Sequence, residues 1–197
     1  MKLGLDADGV LTTTRSVRKR LDLEKPVERE VIEECLEIAL QAPTGSNTQG
    51  WQWIFITDPE KKKVIADFYG ANYDMYTNRP DQPNYGVDDL RTSQRPKIMD
   101  SSRYLREVFH EVPVMMIPCI QGAGRLDTGV PTFGQASAWG SLLPAVWSFM
   151  LALRERGLGS AWTTLHLPNE KDVAELLGIP YDTVTQGGLF PIAYTKG

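Results

Sequence analysis

An uncharged stretch of 18 residues, Ala136–Leu153, constrains the fold of this chain more than any other feature of its sequence. Its length is that of a transmembrane helix, yet it contains serine, glycine and proline, and the mean hydropathy of the whole chain is −0.28. A helix that is apolar all round is otherwise buried on every side, and in a chain this small such burial often requires a partner subunit. We therefore expect a long central helix, a homodimer and no membrane span.

The composition is that of one globular domain. With 197 residues, 42% of them hydrophobic, the chain can bury a sizeable core, and we expect a single domain over residues 1–197. Its 21 Lys and Arg against 25 Asp and Glu give a net charge of −4, so no positive field favours nucleic acid or an anionic membrane. Cys35 and Cys119 are too far apart for a metal motif, and Cys35 should pack as a small hydrophobe. Because the N-terminus lacks a signal-peptide pattern, we expect a cytoplasmic protein.

Apolar periodicity and turn residues predict helices alternating with strands. The predicted helices are a short one around Val10 and Leu11, Val31–Gln41, Pro59 to about Tyr69, Asp100–Glu111, a long one ending near Arg156, and Asn169–Leu177. The predicted strands are Trp51–Thr57, Val112–Ile120, Trp162–Leu165 and about Gln186–Tyr194. The polar stretch 70–98 is too long for a plain connection and is expected to be a lid or excursion, and a loop is expected over 122–132. This order of elements indicates a single α+β or α/β layer fold.

Several common catalytic motifs are absent or incomplete. Asp6–Leu11 (DADGVL) is similar to the nucleophilic loop of haloacid dehalogenase-type phosphatases, but it lacks the buried strand that should precede it. No glycine cluster completes a dinucleotide-binding fingerprint. His110 and His166 are the only histidines, and neither has companions at ligand spacing. We therefore expect no metal site and no catalytic side chain.

Two segments suit a ligand that combines a phosphate with a flat ring. Arg15–Arg20 (RSVRKR) has four cations in six residues, which form either a solvated charged face or a phosphate site built from arginine forks and a serine hydroxyl. Gln41–Trp51 (QAPTGSNTQGW) combines a rigid proline, exposed backbone donors and a side-chain amide, which suits a heteroaromatic ring with polar edges. An ordinary turn between a helix and a strand uses the same residues.

In four places, taken in order, the chain resembles the nitroreductase family of flavin-dependent oxidoreductases. Thr14–Arg18 (TRSVR) is similar to the family's R-S-x-R phosphate motif, and Ala42–Trp51 (APTGSNTQGW) to its A-P-S-x-x-N-x-Q-P-W flavin loop, with Gly50 where proline is usual. Gly157–Trp162 (GLGSAW) resembles G-L-G-S-C-W, and Leu176–Pro180 (LLGIP) resembles the end of a late helix. The resemblance spans nearly the whole chain.

This resemblance implies the nitroreductase-like α+β fold, with a mostly antiparallel central sheet flanked by helices and a long central dimer helix. The residues implied to hold the FMN phosphate are Arg15, Ser16 and Arg18. Those implied to lie against the flavin, bound in the partner subunit's half of the site, are Pro43, Thr44, Gly45, Ser46 and Asn47. Those implied at flavin N5, where the family often has Gly-Gly, are Thr163, Thr164 and Leu165, whose larger side chains should narrow that side. The sequence departs from the family at Gly197, before the segment in which family members commonly supply another basic phosphate ligand, and whether Lys196 substitutes for it stays open.

The activity implied by the resemblance is that of a homodimeric FMN enzyme that accepts hydride from NADH or NADPH and reduces a small organic acceptor by a ping-pong mechanism. Nitroaromatics, quinones and α,β-unsaturated or halogenated rings remain open as acceptors. The alternatives are a reductive dehalogenase or flavin-consuming enzyme of the same fold, and a flavin-binding module without turnover. In such enzymes the cofactor performs the redox step and the protein orients it.

Overall fold

All the predicted helices are present, with changes of length, and the predicted strands are present in part. In the computed structural model, which describes residues 2–127 and 129–196, the helices are α1 (Ala7–Thr13), α2 (Arg29–Ala39), α3 (Pro59–Thr77), α4 (Leu90–Val108), α5 (Thr132–Glu155) and α6 (Glu170–Leu177). The strands are β1 (Trp51–Ile56), β2 (Val114–Gln121), β3 (Leu158–Ser160), β4 (Val184–Gln186) and β5 (Phe190–Tyr194).

β2 lies at the centre of a five-stranded sheet. The strand order is β1–β2–β5–β3, and β4 also pairs with β2. The pairs formed by these strands are antiparallel. Met115 and Ile117 face one side of the sheet and Val114 and Met116 the other, the alternation expected of a strand. Because both faces are covered, β2 is a nearly continuous apolar run.

Helices on the two faces of the sheet form two hydrophobic clusters. Tyr69 of α3 and Leu105 of α4 belong to the cluster on one face. Val146 and Phe149 of α5 pack on the other face, together with Cys35 of α2. This arrangement confirms the α+β fold. It also confirms that Cys35 packs as a small hydrophobe, since its side chain is buried and burial raises the pKa of its thiol to about 11.

α5 is the long helix that the uncharged stretch predicts. It follows Pro131 and ends before Gly157, which takes a left-handed conformation with φ 73°. Phe149 and its neighbours cover one face against α2, β2 and β3. The other face is open in the single chain, where Phe133 is 81% and Trp147 40% exposed. Within the described part of the chain, α5 alone has the length and apolar composition of a membrane span, a criterion that core helices also meet.

The stretch 70–98 is more helical than its polar composition predicts. α3 continues through Gly70, which packs against the Arg106 side chain: a Cβ at Gly70 would lie 3.4 Å from Arg106 Cζ. α4 begins directly after Asp89, whose carboxylate accepts a hydrogen bond from the first turn. Only residues 78–89 connect the two helices, so the predicted helix boundaries in this region are wrong. A lid function for the stretch stays a prediction.

Two predicted strands are arranged differently in the structure. Trp162–Leu165 is not a strand, because only Thr163 pairs, in an isolated bridge with Leu189. The last predicted strand is divided into β4 and β5 by a glycine pair. The first glycine of this pair, Gly187, allows close packing, since a Cβ there would lie 2.6 Å from Leu142 Cδ2.

The N-terminal DADGVL segment forms the start of α1. The Asp6 carboxylate caps this helix by accepting a hydrogen bond from the Gly9 N–H at 2.7 Å. No strand precedes it in the part of the chain that the structure describes, so the similarity to a phosphatase loop has no structural counterpart. The predicted loop 122–132 includes Thr128, which lies outside the described residues.

Candidate functional site

The cationic segment Thr14–Arg18 runs alongside β3. Ser16 forms a parallel bridge with Ser160, and the Val17 N–H donates to the Ser160 carbonyl oxygen at 2.8 Å. Gly159 allows this approach, because a Cβ there would lie 2.8 Å from Val17 Cβ. Since the chain continues from Ser160 directly to Thr163, the bridge brings the predicted phosphate segment close to the predicted N5 segment.

Arg15 and Arg18 extend to opposite sides of the sheet. Arg15 lines a cavity of about 170 Å³ on the α5 side. Arg18 reaches toward α3 and α4, where its Nη1 lies 3.5 Å from Ser101 Oγ. Burial raises the pKa of the nearby Tyr69 to about 12, and the Arg18 charge partly offsets this effect. The structure therefore does not bring the two predicted phosphate ligands to one point.

The charges of this segment differ in how they are compensated. Lys19 forms an ion pair with Asp100 on α4. Among the described residues, Arg15, Arg18 and Arg20 have no carboxylate within ion-pair distance. In a chain of net charge −4, such unpaired guanidinium groups are suited to an anionic ligand.

The predicted flavin loop packs against the N-terminal half of α5. The Gly45 N–H donates to Ser141 Oγ at 2.9 Å, and the Trp51 indole N–H donates to the Ser141 carbonyl oxygen at 2.7 Å. Gly45 fits closely, because a Cβ there would lie 2.5 Å from Ser137 Oγ. Two contacts with one turn of α5 thus fix the position of the loop.

The tip of this loop is held in an unusual backbone conformation. Ser46, Asn47 and Gln49 have φ of 52°, 53° and 49°, in the left-handed region that residues other than glycine rarely adopt. Two hydrogen bonds support the conformation: the Gln49 N–H donates to Thr44 Oγ1 at 3.1 Å, and Gln49 Nε2 donates to Asn47 Oδ1 at 2.9 Å. Pro43, Ser46 and Asn47 are exposed. Strained and exposed backbone of this kind is typical of ligand-binding loops.

The three residues predicted at flavin N5 differ in accessibility. Thr163 is tied to Leu189 by backbone hydrogen bonds of 3.1 and 2.8 Å, and its hydroxyl donates to the Leu189 carbonyl oxygen at 2.6 Å. Leu165 packs against the core. Thr164 is exposed and lines a shallow apolar groove with Trp139 of α5. Of the three side chains, Thr164 is therefore the one that can meet a ligand freely.

The flavin loop and the Thr164 groove lie on opposite sides of α5. Gly45 contacts Ser137 and Ser141, whereas the groove is lined by Trp139 and Leu143. At about 100° per residue, the two pairs are separated by roughly 200° around the helix. One copy of the chain therefore does not bring its own loop to its own Thr164.

His166 lies close to this segment in sequence but is fully buried. Its Nε2 is 3.1 Å from Gln186 Oε1, and Gln186 Nε2 donates to the Glu170 carbonyl oxygen at 2.9 Å. The Gln186 oxygen is therefore the acceptor, so His166 Nε2 carries the proton and the buried Nδ1 has no partner among the described residues. Burial lowers the pKa of His166 to about 4, although the hydrogen bond to Gln186 acts in the opposite direction. The imidazole is neutral near pH 7 and cannot reach a ligand.

Sequence reasoning included Arg20 in the cationic run and Ser160 in the GLGSAW motif, but it missed Arg154 as a residue of the Arg15 cavity. Arg154, in the last turn of α5, and Arg20 line it together with Ser160. One signal was available: in an extended segment, residues three apart point to opposite sides, so Arg15 and Arg18 need separate partners. The position of Arg154 depends on how α5 packs against α1 and β3, which no local pattern shows.

A known protein family matches nearly the whole chain. The model described as the nitroreductase family matches residues 11–194. An iodotyrosine deiodinase of Thermotoga neapolitana is 25% identical over 185 residues, covering 93% of this chain and 86% of that protein. Protein DrgA of Synechocystis sp. is 28% identical over 178 residues, covering 90% of this chain and 79% of that protein.

Solved structures share the fold at lower sequence identity. A crystal structure of oxidized iodotyrosine deiodinase bound to FMN and 3-iodo-L-tyrosine has a TM-score of 0.69 and 24% identity, covering 95% of this chain and 88% of that one. The FMN and NADPH-dependent nitroreductase NfnB from a Sphigopyxis strain has a TM-score of 0.69 and 23% identity, covering 98% of this chain and 89% of that one. These similarities support the chain's overall architecture.

Proposed function

This chain belongs to the nitroreductase family, and from that membership we propose that it is a homodimeric, FMN-dependent reductase. In this proposal it accepts hydride from NADH or NADPH and passes reducing equivalents to a small organic acceptor in the same pocket. The observation that carries the proposal is the bridge between Ser16 and Ser160, which sets an unpaired cationic segment beside the chain leading to Thr163. A phosphate-bearing ring compound needs this combination of charge and backbone.

The residues present fit FMN. Unpaired arginines and serine hydroxyls suit its phosphate, and the buried Ser160 Oγ has no partner among the described residues. The exposed, strained tip at Ser46 and Asn47 offers polar groups to the edge of a flat ring. We propose that residues 14–18 hold the phosphate end, and that Thr163–Leu165 and a partner's copy of the loop 43–47 enclose the ring.

The protein's contribution is placement. Bound FMN supplies the two-electron redox chemistry, taking up hydride and passing it on. The hydrogen bonds between Thr163 and Leu189 hold the backbone beside the ring in one conformation. The buried and neutral His166 does not exchange protons with a ligand, so we assign it no acid or base role. Reduction rates should therefore depend on alignment.

The two sides of α5 support the proposed homodimer. Because the loop 43–47 and Thr164 lie on opposite sides of this helix, a second copy is needed to complete the ring site. The open face of α5 presents Phe133 and Trp147, which are more exposed than large apolar side chains usually are. We propose that this face pairs with the same face of a second copy.

Reductive dehalogenation of a halogenated ring is the second candidate. Its support is the similarity to deiodinases, including one of Drosophila melanogaster that is 27% identical over 92% of this chain and 60% of that protein. Both candidates use the same flavin site and differ in the acceptor.

The visible absorption spectrum after gel filtration is the first test. We expect bound, non-covalent FMN that is released on denaturation and identified by mass. We also expect the double variant R15A/R18A to bind FMN at least tenfold more weakly, because the arginine that holds the phosphate contributes a charge-assisted hydrogen bond of about 1.5–3 kcal/mol. A colourless protein that cannot be reconstituted with FMN would contradict the proposed function.

The donor and the acceptor need a separate experiment. Anaerobic mixing with NADH or NADPH should bleach the flavin absorbance, and no bleaching by either donor would contradict the reductase proposal. The reduced protein is then mixed with a nitroaromatic, a quinone or an iodinated phenol, and the products are identified by mass. Release of iodide with little reduction of the other compounds would favour the dehalogenase. Lack of reoxidation by any of them would favour a flavin-binding module.

A further inference from the structure

Three arginines from separate parts of the chain line one cavity on the α5 side of the sheet. Arg15 follows α1, Arg20 lies further along the same segment, and Arg154 is in the last turn of α5. The cavity has a volume of about 170 Å³ and is closed on one side by β3. Three cationic side chains that line one cavity make it a favourable place for an anion.

The internal bonds of these arginines leave most of their donors free. Arg15 Nη1 donates to its neighbouring carbonyl oxygen at 2.6 Å, Arg20 Nε to the Lys196 carbonyl oxygen at 3.0 Å, and Arg154 Nε to Thr13 Oγ1 at 3.0 Å. In residues 2–127 and 129–196, none of the three forms an ion pair. Each guanidinium keeps further N–H donors for a ligand.

A buried hydroxyl also lines this cavity. Ser160 is only 4% exposed, and its Oγ has no hydrogen-bond partner among the described residues. A buried hydroxyl without a partner is unfavourable and rare in folded proteins, so such a group marks a place where a ligand oxygen fits. This observation is independent of the arginine cluster.

We propose that this cavity binds a phosphate group, with Arg154 and Arg20 as ligands beside Arg15. A phosphate monoester carries nearly two negative charges and several acceptor oxygens, which suits three cations better than a carboxylate does. The phosphate is either that of the flavin, a case that rests on the proposed function, or that of a separate molecule. Arg154 lies outside the motifs that identify the flavin site, and Arg20 lies two residues after the R-S-x-R motif, at the end of the cationic run Arg15–Arg20.

The test uses the full chain, as purified and after removal of any flavin, titrated with inorganic phosphate against potassium chloride at equal ionic strength. We expect saturable binding by calorimetry and a rise in the unfolding temperature with phosphate only. R154Q should weaken phosphate binding by about 10- to 100-fold. R29Q is the matched control, because Arg29 is exposed and pairs with Glu33, and it should bind as the wild type does. No phosphate-specific binding, or equal behaviour of R154Q and R29Q, overturns the proposal.

Further variants identify the molecule that carries the phosphate and keep the site testable if R154Q does not fold. R20Q removes a more exposed ligand, so it tests the site even if R154Q fails to fold, and R154K should retain part of the affinity.

If the flavin phosphate occupies the cavity, R154Q weakens binding of FMN but not of riboflavin. If a separate molecule does, the FMN-loaded protein still binds phosphate. A chain that binds phosphate but no flavin contradicts only the proposed function, whereas one that binds FMN but shows no dependence on Arg154 or Arg20 contradicts only this proposal.

Discussion

The buried imidazole of His166 makes stability depend on pH. Its pKa is about 4 in the folded chain and 6.5 when it is exposed, so between these values the unfolded chain binds more protons than the folded one. Stability should therefore fall as the pH drops from 6.5 toward 4, by about 3 kcal/mol from this residue. Urea unfolding of the wild type and H166Q across this range should give curves that converge as the pH falls. Parallel curves would show that His166 does not cause the effect.

His166 also provides the sharpest test of a mechanism without a protein acid or base. Loss of a positioned general acid or base typically lowers a rate by 10²–10⁴-fold. Because the His166 ring is buried against Gln186 and cannot reach a ligand, we expect H166Q to reduce its flavin within about tenfold of the wild-type rate. Anaerobic stopped-flow measures this step, and the flavin content of each sample serves as the control. A collapse of the rate with FMN still bound would assign His166 a chemical role.

Residue types were easier to predict than residue directions. The motif around Arg15 and Arg18 indicates a phosphate site by composition, but the two side chains diverge because the segment is extended where it pairs with Ser160. The Ser160 hydroxyl is buried without a partner among the described residues. No local pattern predicts this burial, because Ser160 shares its cavity with residues of α5 that are distant in sequence. Composition therefore predicts a class of ligand, whereas the directions of the donor groups depend on the folded chain.

The contact between the flavin loop and α5 can be tested with one methyl group. An alanine Cβ at Gly45 would lie 2.5 Å from Ser137 Oγ, so in G45A either the Ser137 hydroxyl or the loop must move, at a cost of no more than about 1–2 kcal/mol of stability. We also expect weaker FMN binding, measured by fluorescence titration. Adding S137A removes the clashing hydroxyl but leaves the carbonyl that accepts from Ser141. The double variant should recover both properties, and failure to recover FMN binding would mean that Gly45 matters for another reason.

At the level of elements, long apolar patterns were predicted well and packing-dependent boundaries were not. β1 and α5 match their predicted segments closely, because alternation and an uncharged run are strong local signals. α3 passes through Gly70 because Arg106 covers it from α4, a contact distant in sequence. Pro96 lies in the first half of α4, which Asp89 caps, although proline usually disfavours a helix interior. Tertiary contacts thus override the local signals at these positions.

For the whole molecule, the open face of α5 has the character of an interface. Phe133, Ala136, Gly140, Pro144 and Trp147 follow each other at spacings of three and four residues, which places them on one side of the helix, and all are exposed in the single chain. The stripe combines two large aromatic side chains with small residues that allow close approach. The opposite face of α5 packs in the core against the sheet. A partner that covers the exposed stripe would therefore contact a helix that is held rigidly in place.

In the proposed homodimer, a single charge on this face should separate the copies without unfolding the chain. Ala136 is exposed and helical, so A136E should change the stability of one copy by no more than about 0.5 kcal/mol. A buried unpaired carboxylate is costly in an interface, and we therefore expect a monomer by ultracentrifugation, with an unchanged circular dichroism spectrum. A71E makes the same change on an exposed part of α3 and should remain a dimer.

The flavin content of A136E then decides whether the site is shared between copies. Because the loop 43–47 and Thr164 lie on opposite sides of α5, a monomer holds only one half of the proposed ring site. We expect A136E to lose FMN in proportion to its dissociation, with the absorbance of each ultracentrifuge fraction as the measurement. A monomeric A136E that keeps FMN at wild-type affinity would show that one copy contains the whole site. A flavin-loaded wild-type monomer at micromolar concentration would contradict the homodimer itself.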